Sequence, residues 1–521
     1  MKKYPIKALI LSALIYLAVA IFLSTIPLFD ILGYEFSLSI AVLAYLVSGM
    51  FLIFTITNKN KSDNDVCHLF IFSISLVVVP LLFMTVKGFF ITNCNFLKGL
   101  SFFLLIPFIS AIFGSSIGLF VSRVLDKKIY RIFTFLFISL LILLKAPYDF
   151  IYGPSVNSFN HIFGFFAGPI YDEIVEIGKP LIFYRAYTLT LSIFFITLAL
   201  TVKRIKGTEL ISKALSAIFI ISFLTALFFI FDGENLGFNN THNFIQKKLG
   251  GKFETGNFIF YFPKSLDGKV HTIADEFEYN FAVLKTDLKI SPYGKISVYI
   301  YKDEETQKDL MGSRGIFISK PSTKEIHLTY AFPLYLPIKH ELTHILAGEF
   351  GFPIIKISPR IVLLEGLAEA MVGYHENITL DEYCSALFKL GFDLDINSIM
   401  SPLGFWSKQG AIAYFKGGSF TKFLIDNYGI DKFKEVYRGR SFKEVYGKFS
   451  KNITDDWIKK IKEIQISDEQ LKKAEILFKP KGIFEKSCAH EVAFLLNRGN
   501  ELFKSGTKED ALKIFDNACL L

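Results

Sequence analysis

KHELTHILAG, Lys339 to Gly348, places two histidines four residues apart with a glutamate directly after the first. Pro337 suits a first helical turn, where its missing N–H costs nothing, and Gly348 suits a stop. The spacing therefore predicts a helix with His340 and His344 in its middle. Residues i and i+4 share a helix face, so both imidazoles can meet one metal ion. Glu341, the next residue round, can reach a water at the metal's open position. Zn²⁺ lowers the pKa of such a water to about 7, and a carboxylate in range can take its proton and pass it to a leaving amine.

A catalytic zinc needs a third protein ligand. Beyond GEFGFP, Ser358 and Pro359 read as the N-cap and first residue of a second helix, PRIVLLEGLAEAMVGY, with Glu365 and Glu369 one turn apart. Glu365 is the candidate third ligand. Glu369, on the same face, is the candidate to accept the outer N–H of a ligand histidine and fix its tautomer. The competing reading has both acids merely solvating a helix face; the IVLL run before Glu365 argues against it.

HELTH followed by LLEGLAEAMVGY resembles the gluzincin zinc metallopeptidases, and within them the peptidase MA-like branch, where the glutamate of an E-G-x-A-E segment completes a two-His, one-Glu site. The similarity continues into AYFKGGSFTKFLIDNYG (Ala413–Gly429), which is similar to the segment of aminopeptidase N relatives whose tyrosine, two residues before Lys-Gly, hydrogen-bonds the tetrahedral oxyanion. The resemblance implies one Zn²⁺ held by His340, His344 and Glu365, Glu341 as general base, and Tyr414 as oxyanion donor, with Lys416 and Gly417 following it. Without the resemblance, Tyr414 reads as an ordinary helix-face aromatic. It covers about Asn257 to Lys460. One departure matters: the G-A-M-E-N segment with which those relatives grip a free α-amine has no counterpart before His340, where GSRGIFISKPSTKEIHL stands instead. Aminopeptidase specificity is therefore not implied.

Upstream of the helix, NFIFYF (Asn257–Phe262) and KISVYIYK (Lys295–Lys302) read as strands with the helix DEFEYNFAVLKTDL between them. GIFISKP and KEIHLTY read as a hairpin or strand pair. This order predicts an α+β zincin-like domain. GIFISK is a candidate edge strand for pairing an extended substrate.

The rest of the 521-residue chain belongs to another solvent. Hydrophobic residues make up 52%, with 58 Phe, too apolar for an ordinary soluble protein, and the long apolar runs nearly all precede Phe231. Seven stretches can span a bilayer, approximately 5–29, 37–57, 66–86, 99–122, 131–149, 180–201 and 209–231. The first is too long for a signal peptide and lacks an A-x-A-like cleavage site. Lys2, Lys3, Lys59, Lys61, Arg123, Lys127, Lys128, Arg131, Lys203, Arg204 and Lys206 fall on one side; the alternate loops carry chiefly Lys87, Lys98 and Lys179. The chain is expected in the cytoplasmic membrane, with the N-terminus on the cytoplasmic side and everything after Phe231 outside the cytoplasm. The net charge of +9 comes with no basic stripe, which argues against nucleic acid as a partner. In the loop 150–178, His161, Asp172 and Glu173 read either as a second metal or proton site or as a Gly/Pro-rich loop with solvated acids.

At the C-terminus, Gly499, Leu502, Gly506, Ala511, Phe515 and Ala518 fit the spacing of one tetratricopeptide (TPR) repeat. One repeat cannot bury its own face, so it must dock on the peptidase domain, a neighbour or a partner protein. Cys488 and Cys519 flank this hairpin and read as either a clamp or two unrelated thiols, while Cys67, Cys94 and Cys384 read as solitary. The expectation is a multi-domain chain: an α-helical polytopic membrane domain (1–235), the metallopeptidase domain (236–465) and a helical tail (466–521). Peptides or proteins at the outer face would be its substrates and the lipid bilayer its setting. The rival is a membrane transporter or scaffold whose peptidase-like and TPR-like parts only bind.

Overall fold

The computed structural model describes residues 6–56, 63–91, 94–168, 174–202, 209–292, 294–330, 335–392, 394–401, 404–405, 410–479 and 488–520. The chain folds into two compact units, one of residues 1–242, 310–312 and 487–521, the other of 243–309 and 313–486.

The first unit is a multi-pass membrane bundle. Among the described residues, seven helices are long and apolar enough to cross a membrane: Ile6–Leu23, Tyr34–Thr55, Asp65–Lys87, Phe96–Val124, Lys128–Tyr152, Lys179–Thr201 and Lys213–Phe231. The second and fourth pack backbone to backbone, since a Cβ on Gly118 would lie 2.5 Å from the Gly49 carbonyl oxygen. Small residues allow this approach where burial of apolar surface gives no drive between helices. The fourth span carries a π-helical turn, Leu104–Phe108, around Pro107. Arg185, 1% exposed, donates to the carbonyls of Leu105, Ile106 and His161 and to Ser110 Oγ, satisfying backbone that the irregular turn leaves open.

Two short strands, β1 (Ser158–Asn160) and β2 (Gly164–Phe166), form a hairpin with His161 in its turn. His161 Nδ1 lies 3.0 Å from Thr188 Oγ1 and its ring stacks on Tyr184. This serves packing; Asp172 and Glu173 lie outside the described residues. So do Lys2, Lys3, Lys59, Lys61, Lys203, Arg204 and Lys206.

The tail residues 487–521 belong to this membrane unit. They form a helical hairpin, Ala489–Lys504 and Lys508–Leu520, in which Gly499 makes room for the Phe515 ring. The expected alternatives for its cysteines are corrected: Cys488 is bonded to Cys94, with Cα atoms 5.3 Å apart, and Cys519 is a free exposed thiol. His490 Nε2 lies at hydrogen-bonding distance, 2.7 Å, from Glu35 Oε1, and the Lys98 ammonium sits over the Phe494 ring. A covalent bond and polar contacts thus attach the hairpin to the membrane helices.

The second unit is built on a five-stranded mixed sheet of β3 (Gly250–Glu254), β4 (Phe258–Pro263), β5 (Ile296–Tyr301), β6 (Ile318–Lys320) and β7 (Glu325–Thr329), in the order β3-β4-β5-β7-β6. β4, β5 and β7 run parallel, and β3 and β6 pair antiparallel at the edges. Phe258, Phe260 and Phe262 alternate inward along β4, as the two-residue period of a strand requires. Phe258 packs on Phe277 and Phe281 of α1 (Val270–Asp287), and Phe260 on Phe277. The sheet and this helix fall where the sequence pattern put them; β3, in GGKFE, has no apolar alternation to reveal it.

Among the further helices of the unit, four frame the candidate site: α2 (Tyr335–Ala347), α3 (Ile361–Val372), α4 (Leu380–Lys389) and α5 (Gly410–Tyr428). In α2, Ile338, Leu342, Ile345 and Leu346 are all at most 3% exposed and form one apolar face at helical spacing. Each such burial is worth about 2 kcal/mol. It anchors the helix to the core and turns the face bearing His340 and His344 away from it. α3 begins two residues later than Ser358 and Pro359 suggest. Arg360 is extended, its N–H donates to Ser358 Oγ, and its guanidinium is drawn to the Val436 carbonyl and over the Phe442 ring. That tertiary pull delays the helix.

Candidate metal centre

α2 and α3 bring His340, His344 and Glu365 together. The two Nε2 atoms are 3.2 Å apart, and Glu365 Oε2 lies 3.5 Å from that of His340 and 3.4 Å from that of His344. Donors bound tetrahedrally at 2.0–2.1 Å are separated by about 3.3 Å, so this near-equilateral triangle fits one Zn²⁺ without side-chain rearrangement. Two imidazoles and a carboxylate are also the donor types zinc prefers.

Glu341 is 8% exposed and its Oε2 accepts a 2.7 Å hydrogen bond from Ser319 Oγ on the edge strand β6. The strand thus holds the carboxylate beside the histidines. Glu369 Oε1 lies 3.2 Å from His340 Nδ1, the nitrogen facing away from the triangle. Its other oxygen, Oε2, lies 2.6 Å from His375 Nε2.

Burial opposes charge on His340, but Glu365 and Glu369, with Glu341 beyond them, outweigh it and hold its imidazole well above the ordinary value. Glu365 and Glu369 are likewise buried; the imidazoles around each overcome that burial and hold both carboxyls below the usual range.

Tyr414 comes from α5. Its ring lies near His340, centroids 6.4 Å apart, and near Phe405, centroids 5.5 Å apart. Burial, then the Glu365, Glu341 and Glu369 carboxylates, push its phenol well above the usual range. It stays protonated and able to donate. Lys416 is buried and donates to the Asp395 carbonyl, which ties α5 down just beyond the tyrosine.

Sequence reasoning did not single out Ser319 or His375. A hydroxyl at the middle position of β6, the first of the two strands before HELTH, was the available signal for Ser319. For His375 it was an imidazole six residues after Glu369, just past the helix-ending Gly373.

No protein-family model matches the chain. The curated proteins contain no significant match to it either.

Proposed function

We propose that the second unit is a zinc-dependent metallopeptidase of gluzincin type, carried by a multi-pass membrane unit. The donor triangle of His340, His344 and Glu365, with Glu341 alongside, is the observation that supports it most. Zn²⁺ bound there would supply a Lewis acid for the attacking water and the scissile carbonyl.

The chain's own residues do the rest. Glu341, oriented by Ser319, takes the proton of the attacking water and returns it to the leaving amine. Tyr414 donates its hydroxyl hydrogen to the oxyanion of the tetrahedral species, charge that exists only once attack has begun. Glu369 holds His340 in the tautomer that keeps Nε2 free to ligate. β6 ends the sheet, so an extended peptide can pair along it within reach of Glu341. A prolyl insertion in Gly315–Lys320 that left peptide cleavage intact would count against this pairing.

Two independent features support one side of the membrane. Positive residues favour a cytoplasmic N-terminus. Cys94 follows the third span and Cys488 the seventh, both odd, so the bond between them demands one shared side, and a structural disulfide favours an oxidising one. The peptidase unit, which lies in the chain between the seventh span and Cys488, is therefore extracytoplasmic, with proteins or peptides there as substrates. None of its site residues lies in an apolar span, so cleavage takes place outside the hydrocarbon core.

The test is zinc content and cleavage of a broad peptide library by the purified full-length protein and its Glu341→Gln variant. Zinc retained by both with cleavage lost in the variant supports catalysis. Zinc bound with cleavage by neither returns the protein to the binding-scaffold reading.

A further inference from the structure

Gly373, with φ +88°, ends α3 four residues after Glu369 and turns the chain back on itself. The hairpin that follows, β8 (Tyr374–His375) and β9 (Ile378–Thr379), reverses at Glu376 and Asn377, both in the left-handed region. Thr379 then caps α4 through a reciprocal pair of bonds with Glu382. The hairpin is thus fixed at both ends. It delivers the His375 ring onto Phe415, 4.9 Å between centroids, with Nε2 at 2.6 Å from Glu369 Oε2.

Glu369 is 5% exposed and its two oxygens are divided between two imidazoles, Oε1 to His340 Nδ1 and Oε2 to His375 Nε2. A carboxylate on a two-χ stem held at one oxygen only can swing about that contact. Held at both, it has one orientation, and the His340 ring plane is set by it. We propose that His375 is a positioning residue: it fixes the Glu369 carboxylate so that His340 Nε2 is aimed at the metal. This rests on the metallopeptidase reading of the site but not on the reaction.

Three variants of the full-length protein separate the contributions. His375→Phe keeps the packing on Phe415 and removes the N–H; His375→Gln restores a donor near the Nε2 position; His375→Ala removes both. The readout is the zinc dissociation constant from chelator competition, with the melting temperature of the metal-free protein as the control for folding. The expected result is up to about tenfold weaker binding for Phe and Ala, the lower end of what loss of a direct partner of a metal-bound histidine costs, since His375 acts through Glu369. Gln should fall within about threefold of the wild type. Wild-type affinity in His375→Phe overturns the proposal, as does a Gln variant as weak as Phe. A wild-type protein that binds no zinc overturns the metal reading itself and this proposal with it.

Discussion

Gly366 of α3 lies so close to Gly417 of α5 that a Cβ on the first would sit 2.5 Å from the carbonyl oxygen of the second. Gly366 directly follows Glu365, and Gly417 follows Tyr414 by three residues. The two glycines therefore set the distance between the third candidate ligand and the candidate oxyanion donor. Gly366→Ala must push the helices apart. Overpacking of this kind costs about 1–3 kcal/mol, so a melting temperature lowered by several degrees is expected, with cleavage reduced more than the stability loss explains. An unchanged melting temperature and full cleavage would show that the contact is dispensable.

Tyr414→Phe keeps the ring contacts with His340 and Phe405 and removes only the hydroxyl. Loss of a single oxyanion donor costs about 10²–10³ in kcat. The expected outcome is a fall of that size in kcat with KM and zinc content near the wild-type values. A variant with unchanged kcat would reassign Tyr414 to packing.

Much of this site could be read from the sequence because it rests on local geometry. HELTH places His340 and His344 on one face through helical repeat alone, and the Ile338, Leu342, Ile345 pattern says which face is buried. Glu365 and Glu369 follow the same rule on α3. The remainder depends on contacts with no local mark. Ser319 and Glu341 are 22 residues apart, and Cys94 and Cys488 are 394 apart, joined only once the membrane helices and the tail have packed. The start of α3 differs from its local signal for the same reason, since the contacts of Arg360 to Val436 and Phe442 override the helix-starting residues Ser358 and Pro359.

The Cys94–Cys488 bond predicts a covalent link between the tail and the membrane helices. With a protease site introduced after Phe478, the cleaved protein should run as one species without reductant and as two with it. Cys94→Ser should give two under both conditions. A wild-type chain that separates without reductant would remove both the bond and its support for the extracytoplasmic assignment.

The site also predicts a direction for pH. His340 is held above its ordinary pKa by its carboxylate neighbours, so a proton competes with metal there at higher pH than at a free imidazole of about 6.5. The zinc dissociation constant should start to rise while the pH is still above that value. In the metal-free protein the same raised pKa contributes stability that is full below about 6.5 and is lost as pH rises through the folded value. The lowered pKa of Glu369 contributes stability that is present above about 4.3 and lost as pH falls through its folded value. Melting curves in chelator across pH should therefore fall off on both sides, and saturating zinc should raise the alkaline side. A metal-free melting temperature that climbs through neutral to alkaline pH would contradict the assignment at His340.

Zinc K-edge X-ray absorption on the purified full-length protein, compared with its Glu365→Ala variant, addresses the convergence of three side chains on one cation most directly. The expected spectrum shows one zinc per chain with two imidazole nitrogens and a carboxylate oxygen at about 2.0–2.1 Å, and the variant loses the carboxylate and most of its affinity. A wild-type protein without zinc, or a Glu365→Ala variant with unaltered coordination and affinity, would contradict it.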